Sequence, residues 1–171
     1  PLSLKRYLDD RLQHLEASRS DLQSMMSQLV AEFNLAEHRP GVFRFEGREG
    51  LLRAYDELLK DRSDIISLQD HQAVEGFLGE YSRQFTAQRV RLRVSHRIIT
   101  PTSEATTRNE LLNDRVRRQF RYIDPLKLPF TMDLKVSSEK LVMTTFVQDS
   151  AVGIVIIDKE INRNFHGLLE F

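Results

Sequence analysis

Val42-Phe43-Arg44-Phe45-Glu46-Gly47-Arg48-Glu49-Gly50-Leu51-Leu52 is the stretch in which the chain changes period. Over residues 42–46 apolar and polar side chains alternate, which is the period-two pattern of a strand. Gly47 and Gly50 bracket a turn. Leu51, Leu52, Tyr55, Leu58 and Leu59 then recur at helical spacing as far as Lys60. A strand that turns directly into an amphipathic helix is the opening unit of a layered α/β arrangement.

Downstream, residues 64–68 are a short apolar run between polar neighbours, the pattern of a buried strand. Residues 74–88 predict a helix with Phe77, Leu78, Tyr81 and Phe85 on one face. Over residues 90–99, Val90, Leu92 and Val94 alternate with Arg89, Arg91 and Arg93, which predicts a third strand with a solvated arginine face. This β-α-β-α-β order predicts a parallel sheet with helices on its faces. Residues 106–113 predict a short helix, 114–118 a basic loop and 119–123 a short strand. Pro125 and Pro129 keep the next stretch irregular. Three strands follow at 132–136, 141–147 and 152–157, with hairpin-sized connections at 137–139 and 148–150. Ile161, Phe165, Leu168 and Leu169 make a final amphipathic helix.

Upstream, Leu8, Leu15, Leu22 and Leu29 are spaced by seven. With these at d, the a positions are Lys5, Leu12, Arg19, Met26 and Phe33. Residues 3–32 contain no Gly or Pro. The seam of Leu8, Leu12, Leu15, Leu22, Met26, Leu29 and Phe33 predicts self-association as a coiled coil. Leucine at each d with the polar Arg19 at a single interior a position is compatible with two strands, Lys5 being less telling at a helix end that frays. The other reading of the same stripe is an amphipathic helix packed on its own domain. His14 falls at an outer position. Residues 34–41 read as a linker. The expected organisation is a dimerisation helix over 1–36 and a domain over 37–171. The chain begins at Pro1 with the heptads almost at once, which gives the expectation of a fragment whose N-terminal part has been removed.

With 171 residues, the part beyond the heptads is long enough to bury a core. Lys+Arg 25 against Asp+Glu 25 gives zero formal charge, which argues against a strong polyanion binder. There is no cysteine, and so no disulfide, thiolate metal site or thiol nucleophile. No apolar run approaches the roughly 20 residues that cross a bilayer, and no signal peptide is visible. The chain is therefore expected in the cytoplasm, without a membrane partner.

His14, His38, His71, His96 and His166 are scattered, and no pair has metal-ligand spacing. The sequence lacks H-E-x-x-H, a Walker loop, G-x-G-x-x-G and G-x-S-x-G. No metal, cofactor or catalytic residue is expected, and the chain is not expected to be an enzyme. His71 follows Gln69-Asp70 just after the second strand, and His96-Arg97 sit late in the third. Ligands of open α/β sheets bind beyond the carboxyl ends of strands. Ser67, Gln69, Asp70, His71, His96 and Arg97 therefore form a candidate ligand-binding set. The alternative is that they are polar residues at the surface, with Asp70 as a helix N-cap. Arg115, Arg117, Arg118 and Arg121 form the densest basic cluster, either an anion site or a solvated loop beside Asp114 and Asp124. Glu46 reads as an anchor of its turn rather than a base.

The run Phe43-Arg44-Phe45-Glu46-Gly47-Arg48-Glu49-Gly50, followed by Leu51-Leu52-Arg53-Ala54-Tyr55, resembles the effector domain of the TrmB family of transcriptional regulators. Leu141 to Phe146, Gly153 to Ile161 and the helix Phe165 to Phe171 are similar to that family's closing pattern. The resemblance covers residues 40–171, and the preceding heptads fit it. It implies a phospholipase-D-like α/β (α+β) domain with a mixed sheet flanked by helices, behind a coiled coil that makes a homodimer. It also implies a winged helix-turn-helix upstream that binds DNA, and a small-molecule effector. The H-x-K-x-x-x-x-D signature of phospholipase-D enzymes is absent, because neither His71 nor His96 has Lys two residues on. A degenerate phosphodiesterase using those histidines, or a purely structural dimerisation module, are the alternative readings.

Overall fold

A computed structural model describes residues 2–37, 39–102, 116–124, 126, 132–146 and 151–170. Its elements run α1 (Leu2–Ala36), β1 (Gly41–Glu46), α2 (Gly47–Leu59), β2 (Ile65–Gln69), α3 (His71–Leu78), α4 (Glu80–Arg91) and β3 (His96–Pro101). They continue with β4 (Arg118–Ile123), β5 (Met132–Val136), β6 (Lys140–Thr145), β7 (Val152–Ile157) and α5 (Lys159–Glu170). The fold class is α/β with a mixed sheet flanked by helices, as the family resemblance implies.

The seven strands form one sheet in the order β1-β7-β6-β5-β2-β3-β4. Only β2, β3 and β4 are parallel neighbours. The parallel arrangement expected of the β-α-β-α-β segment holds for β2 and β3 but not for β1, which lies at the far edge, antiparallel to β7. α2 crosses the sheet from β1 to β2 and leaves the three antiparallel strands β7, β6 and β5 between them. Hairpin-linked β5 and β6 pair as the short connection at 137–139 requires. The connection at 148–150 and the helix expected at 106–113 lie outside the described residues.

Two apolar layers sandwich the sheet. On one face Ala54, Tyr55, Leu58 and Leu59 of α2, Val74 and Leu78 of α3 and Phe85 of α4 pack on Ile65, Val142 and Val155. On the other, Ile161, Phe165 and Leu169 of α5 pack on Ile66, Leu134, Val136 and Leu141. The Glu-Gly-x-x-Gly turn serves the first layer. Gly47 takes φ +67°, and a Cβ at Gly50 would stand 3.3 Å from the Phe45 carbonyl carbon, so α2 starts hard against β1.

The arginine stripe is a second correction. Residues 90–99 are not one strand: α4 continues to Arg91 and β3 starts at His96. Arg89 lies inside α4 and is 1 % exposed. Its guanidinium donates from Nη1 to the Val94 and Arg117 carbonyls at 2.5 and 3.1 Å, and from Nη2 to the Val116 carbonyl at 2.5 Å. Alternation over six residues fits the last turn and a half of a helix as well as a strand, and the buried tie to β4 decides it. The helix expected at 74–88 is broken at Gly79, φ +56°.

α1 is a 35-residue helix that touches the sheet unit near its end, where Ala31 is 1 % exposed. Leu8, Leu12, Leu15, Leu22, Met26, Leu29 and Phe33 are each between 52 and 63 % exposed in the single chain. Among the described residues no helix is long and apolar enough to cross a membrane.

Candidate functional site

Strand alternation sends Ser67 and Gln69 of β2, His96 and Thr100 of β3, Asp133 and Lys135 of β5 and Thr144 of β6 to the face covered by α2–α4. All seven are buried. They form a continuous polar chain inside an apolar layer. Tyr55 Oη from α2 donates to Asp133 Oδ2 at 2.5 Å and lies 3.0 Å from Thr144 Oγ1. Lys135 Nζ donates to Asp133 Oδ1 at 2.7 Å and to Gln69 Oε1 at 2.5 Å. Burial lowers the Lys135 pKa, opposed by the charge of Asp133. Burial also raises the Tyr55 phenol well above its ordinary value, with Asp133 adding to it.

The chain has a fixed direction. An ammonium only donates, so Gln69 Oε1 is an acceptor, and Ser67 Oγ donates to the same atom at 3.1 Å. Gln69 Nε2 is thereby turned to His71 Nδ1 at 3.0 Å and must donate. Nδ1 is the unprotonated nitrogen of neutral His71, and Nε2 carries the hydrogen. Ser67 has spent its proton on Gln69, so its Oγ accepts from His96 Nε2 at 2.9 Å. Burial holds the His96 pKa well below its ordinary value, with Lys135 and the arginines Arg89 and Arg118 adding to it.

At the far end, His71 Nε2 lies 3.3 Å from Glu75 Oε1, one helical turn on, without the alignment of a hydrogen bond. The nearby His71 N–H, with the Arg118 guanidinium adding to it, holds the Glu75 carboxyl below its ordinary range. The His71 ring meets Phe120 edge-on at 5.0 Å, and the Arg118 guanidinium stands 5.3 Å from the same ring. Arg118 Nη1 is 3.9 Å from Glu75 Oε1.

The structure brings Ser67, Gln69, His71 and His96 of the candidate set together and leaves two members elsewhere. Asp70 is the N-cap of α3, accepting from the Ala73 amide at 3.0 Å. Arg97 points to the opposite face and pairs with Glu170 of α5 at 3.0 Å. His96 and Arg97 open β3 rather than closing it, and a cleft of about 380 Å³ beside them lies at the amino ends of β2–β4. Arg115 lies outside the described residues. Sequence reasoning missed Tyr55, Glu75, Asp133, Lys135 and Thr144. The available signal was Asp133-x-Lys135, two charges on one face of an otherwise apolar strand. Among the described residues no three His, Asp or Glu side chains are grouped to hold a metal ion.

No family model and no curated protein matches the chain. Among solved structures it is similar to one described as "Structure of TrmBL2, an archaeal chromatin protein, shows a novel mode of DNA binding", with a TM-score of 0.54 at 13 % identity. The match covers 96 % of this chain and 64 % of that one. At that identity the likeness shows a shared fold, α1 included.

Proposed function

We infer that this chain is the dimerising and effector-sensing part of a DNA-binding transcriptional regulator of TrmB type, and that it is not an enzyme. The observation that carries the reading is the apolar seam of α1. A stripe from Leu8 to Phe33 that stays more than half exposed in the single chain is not packed on its own domain. A second copy laid along it as a coiled coil covers it. The likeness to a DNA-binding chromatin protein over nearly the whole chain supports the same plan. In that plan DNA is held by a winged helix-turn-helix that is no part of residues 1–171, and the sheet unit is the family's phospholipase-D-like effector domain. His71 and His96 are tied into buried hydrogen bonds, which supports a binding role over nucleophilic chemistry.

Light scattering on the chain and on the Leu15→Lys, Leu22→Lys double variant tests this. The expected masses are twice 20.0 kDa for the chain and 20.0 kDa for a folded variant. A wild-type monomer at high protein concentration overturns it.

A further inference from the structure

Four buried side-chain polar atoms have no hydrogen-bond partner among the described residues: His71 Nε2, Arg89 Nε, Arg118 Nε and Asn162 Oδ1. Asn162 belongs to α5, on the other face. The first three gather where α3, α4 and β4 meet, and all three are donors. The arginines always are, and His71 Nε2 is one because Gln69 has claimed Nδ1. Buried donors without acceptors are costly, so a native cluster of them calls for an explanation. Beside them opens a groove of about 450 Å³ lined by Glu75, Arg83, Thr86, Ala87, Val90 and Arg118, with Ser82 and Val116 completing its walls. Among the described residues Glu75 is the one carboxylate that lines the groove. Arg83 faces solvent with an exposed partner in Glu80.

We propose that this groove binds an organic anion. Its phosphate or carboxylate oxygens are received by Arg118 and Arg83 with His71 Nε2–H at the inner end, and its apolar part lies on Ala87, Val90 and Val116. Arg89 contributes fixed positive charge from beneath and holds the entry to β4 through the Val116 and Arg117 carbonyls and the approach to β3 through that of Val94. Glu75 occupies the place of the ligand oxyanion when the groove is empty. It is 44 % exposed and meets both His71 and Arg118 imperfectly, so it can swing out into water. The inference names the chemical class of the effector and so rests on the effector-binding part of the function proposed above.

Calorimetric titration of the whole chain with benzoate, phenyl phosphate and uncharged benzyl alcohol tests it at low salt. The two anions are expected to bind one site per chain and the alcohol not to bind. Glu75→Gln removes the competing charge from a half-exposed position, and the anions should then bind roughly tenfold tighter, about the worth of one charge-assisted contact. Arg118→Gln should weaken them by at least as much. Arg83→Gln, at a position too exposed to threaten folding, should weaken them severalfold. Arg163→Gln, on the opposite face, should change nothing. Anion binding that Glu75→Gln weakens or leaves unchanged overturns the proposal. Binding of the alcohol but not the anions also overturns it, while the effector reading stands with a neutral ligand. No binding of any anion at millimolar concentration overturns the proposal and leaves dimerisation as the surviving part of the function.

Discussion

Lys135 and Asp133 meet at 2.7 Å with side chains 3 and 1 % exposed, and neither charge has water to fall back on. Such a pair is weak evidence for stability as a pair, yet breaking it is severe. Lys135→Met is expected to cost about 3–5 kcal/mol, because Asp133 is left buried with Tyr55 as its remaining strong donor. Asp133→Leu together with Lys135→Met should cost clearly less than the sum of the singles. Urea unfolding of the three variants checks this, and additive costs would contradict it. His96 gives a different signature. An unfolded imidazole takes up its proton near pH 6.5 (about the free value), whereas burial keeps the folded ring neutral well below that. Below that pH the unfolded chain binds more protons, so stability falls as pH falls, by at most about 1.4 kcal/mol per pH unit for this group. His96→Gln keeps a donor toward Ser67 and removes the titration. Its unfolding free energy should be flatter than wild type between roughly pH 6.5 and 5 (above the carboxylate range). Glu75, whose carboxyl is lowered, acts only at more acid pH.

At the level of elements, α4 ends in a Schellman turn. The Val94 amide donates to the Arg89 carbonyl at 3.1 Å, and the Arg93 amide to the Val90 carbonyl at 2.9 Å. Arg93 holds the left-handed position at φ +61°, where glycine is the usual occupant. Arg93→Gly should raise stability by up to about 1 kcal/mol, the left-handed strain relieved less the extra freedom of unfolded glycine. A lower melting temperature for this variant would mean that the exposed guanidinium makes a contact worth more than the strain. The same turn explains the misread strand. Arg89-Val90-Arg91-Leu92-Arg93-Val94 alternates in sequence while its backbone closes a helix, and glycine, the usual marker of that closure, is absent. Where local signals agree, the elements are legible. Phe43 to Glu46, Met132 to Val136 and Val152 to Ile157 alternate or run apolar and are strands. Ile161, Phe165 and Leu169 recur at helical spacing and face the sheet. Sheet order is another matter. Nothing local in β1 says that its partner is β7, more than a hundred residues on. The candidate site was half legible for the same reason: Ser67-x-Gln69-x-His71 is a local pattern, but its joining to Lys135 and Tyr55 is a product of strand order.

For the whole molecule, the sheet unit and α1 are stabilised in different ways. The sheet unit carries two closed apolar layers of its own. α1 contributes Ala31 and part of Leu35 to its contact with the sheet unit, while its seam from Leu8 to Phe33 faces outward in the single chain. A long helix with an open apolar stripe has its propensity and side-chain pairs to hold it, and tertiary packing is the larger source of helical stability. If a second copy supplies that packing, the stability of α1 belongs to the dimer and must grow with protein concentration. Removing residues 1–30 keeps Ala31 and the end of the helix against β1. The shortened chain should unfold in one cooperative step whose midpoint does not move with concentration. The full chain should lose additional helical circular dichroism in a transition that shifts upward as concentration rises tenfold. A concentration-independent midpoint for both would place the stability of α1 within one chain and remove the physical ground for pairing. A shortened chain that fails to fold would show that α1 is part of the core, against the exposure of its seam.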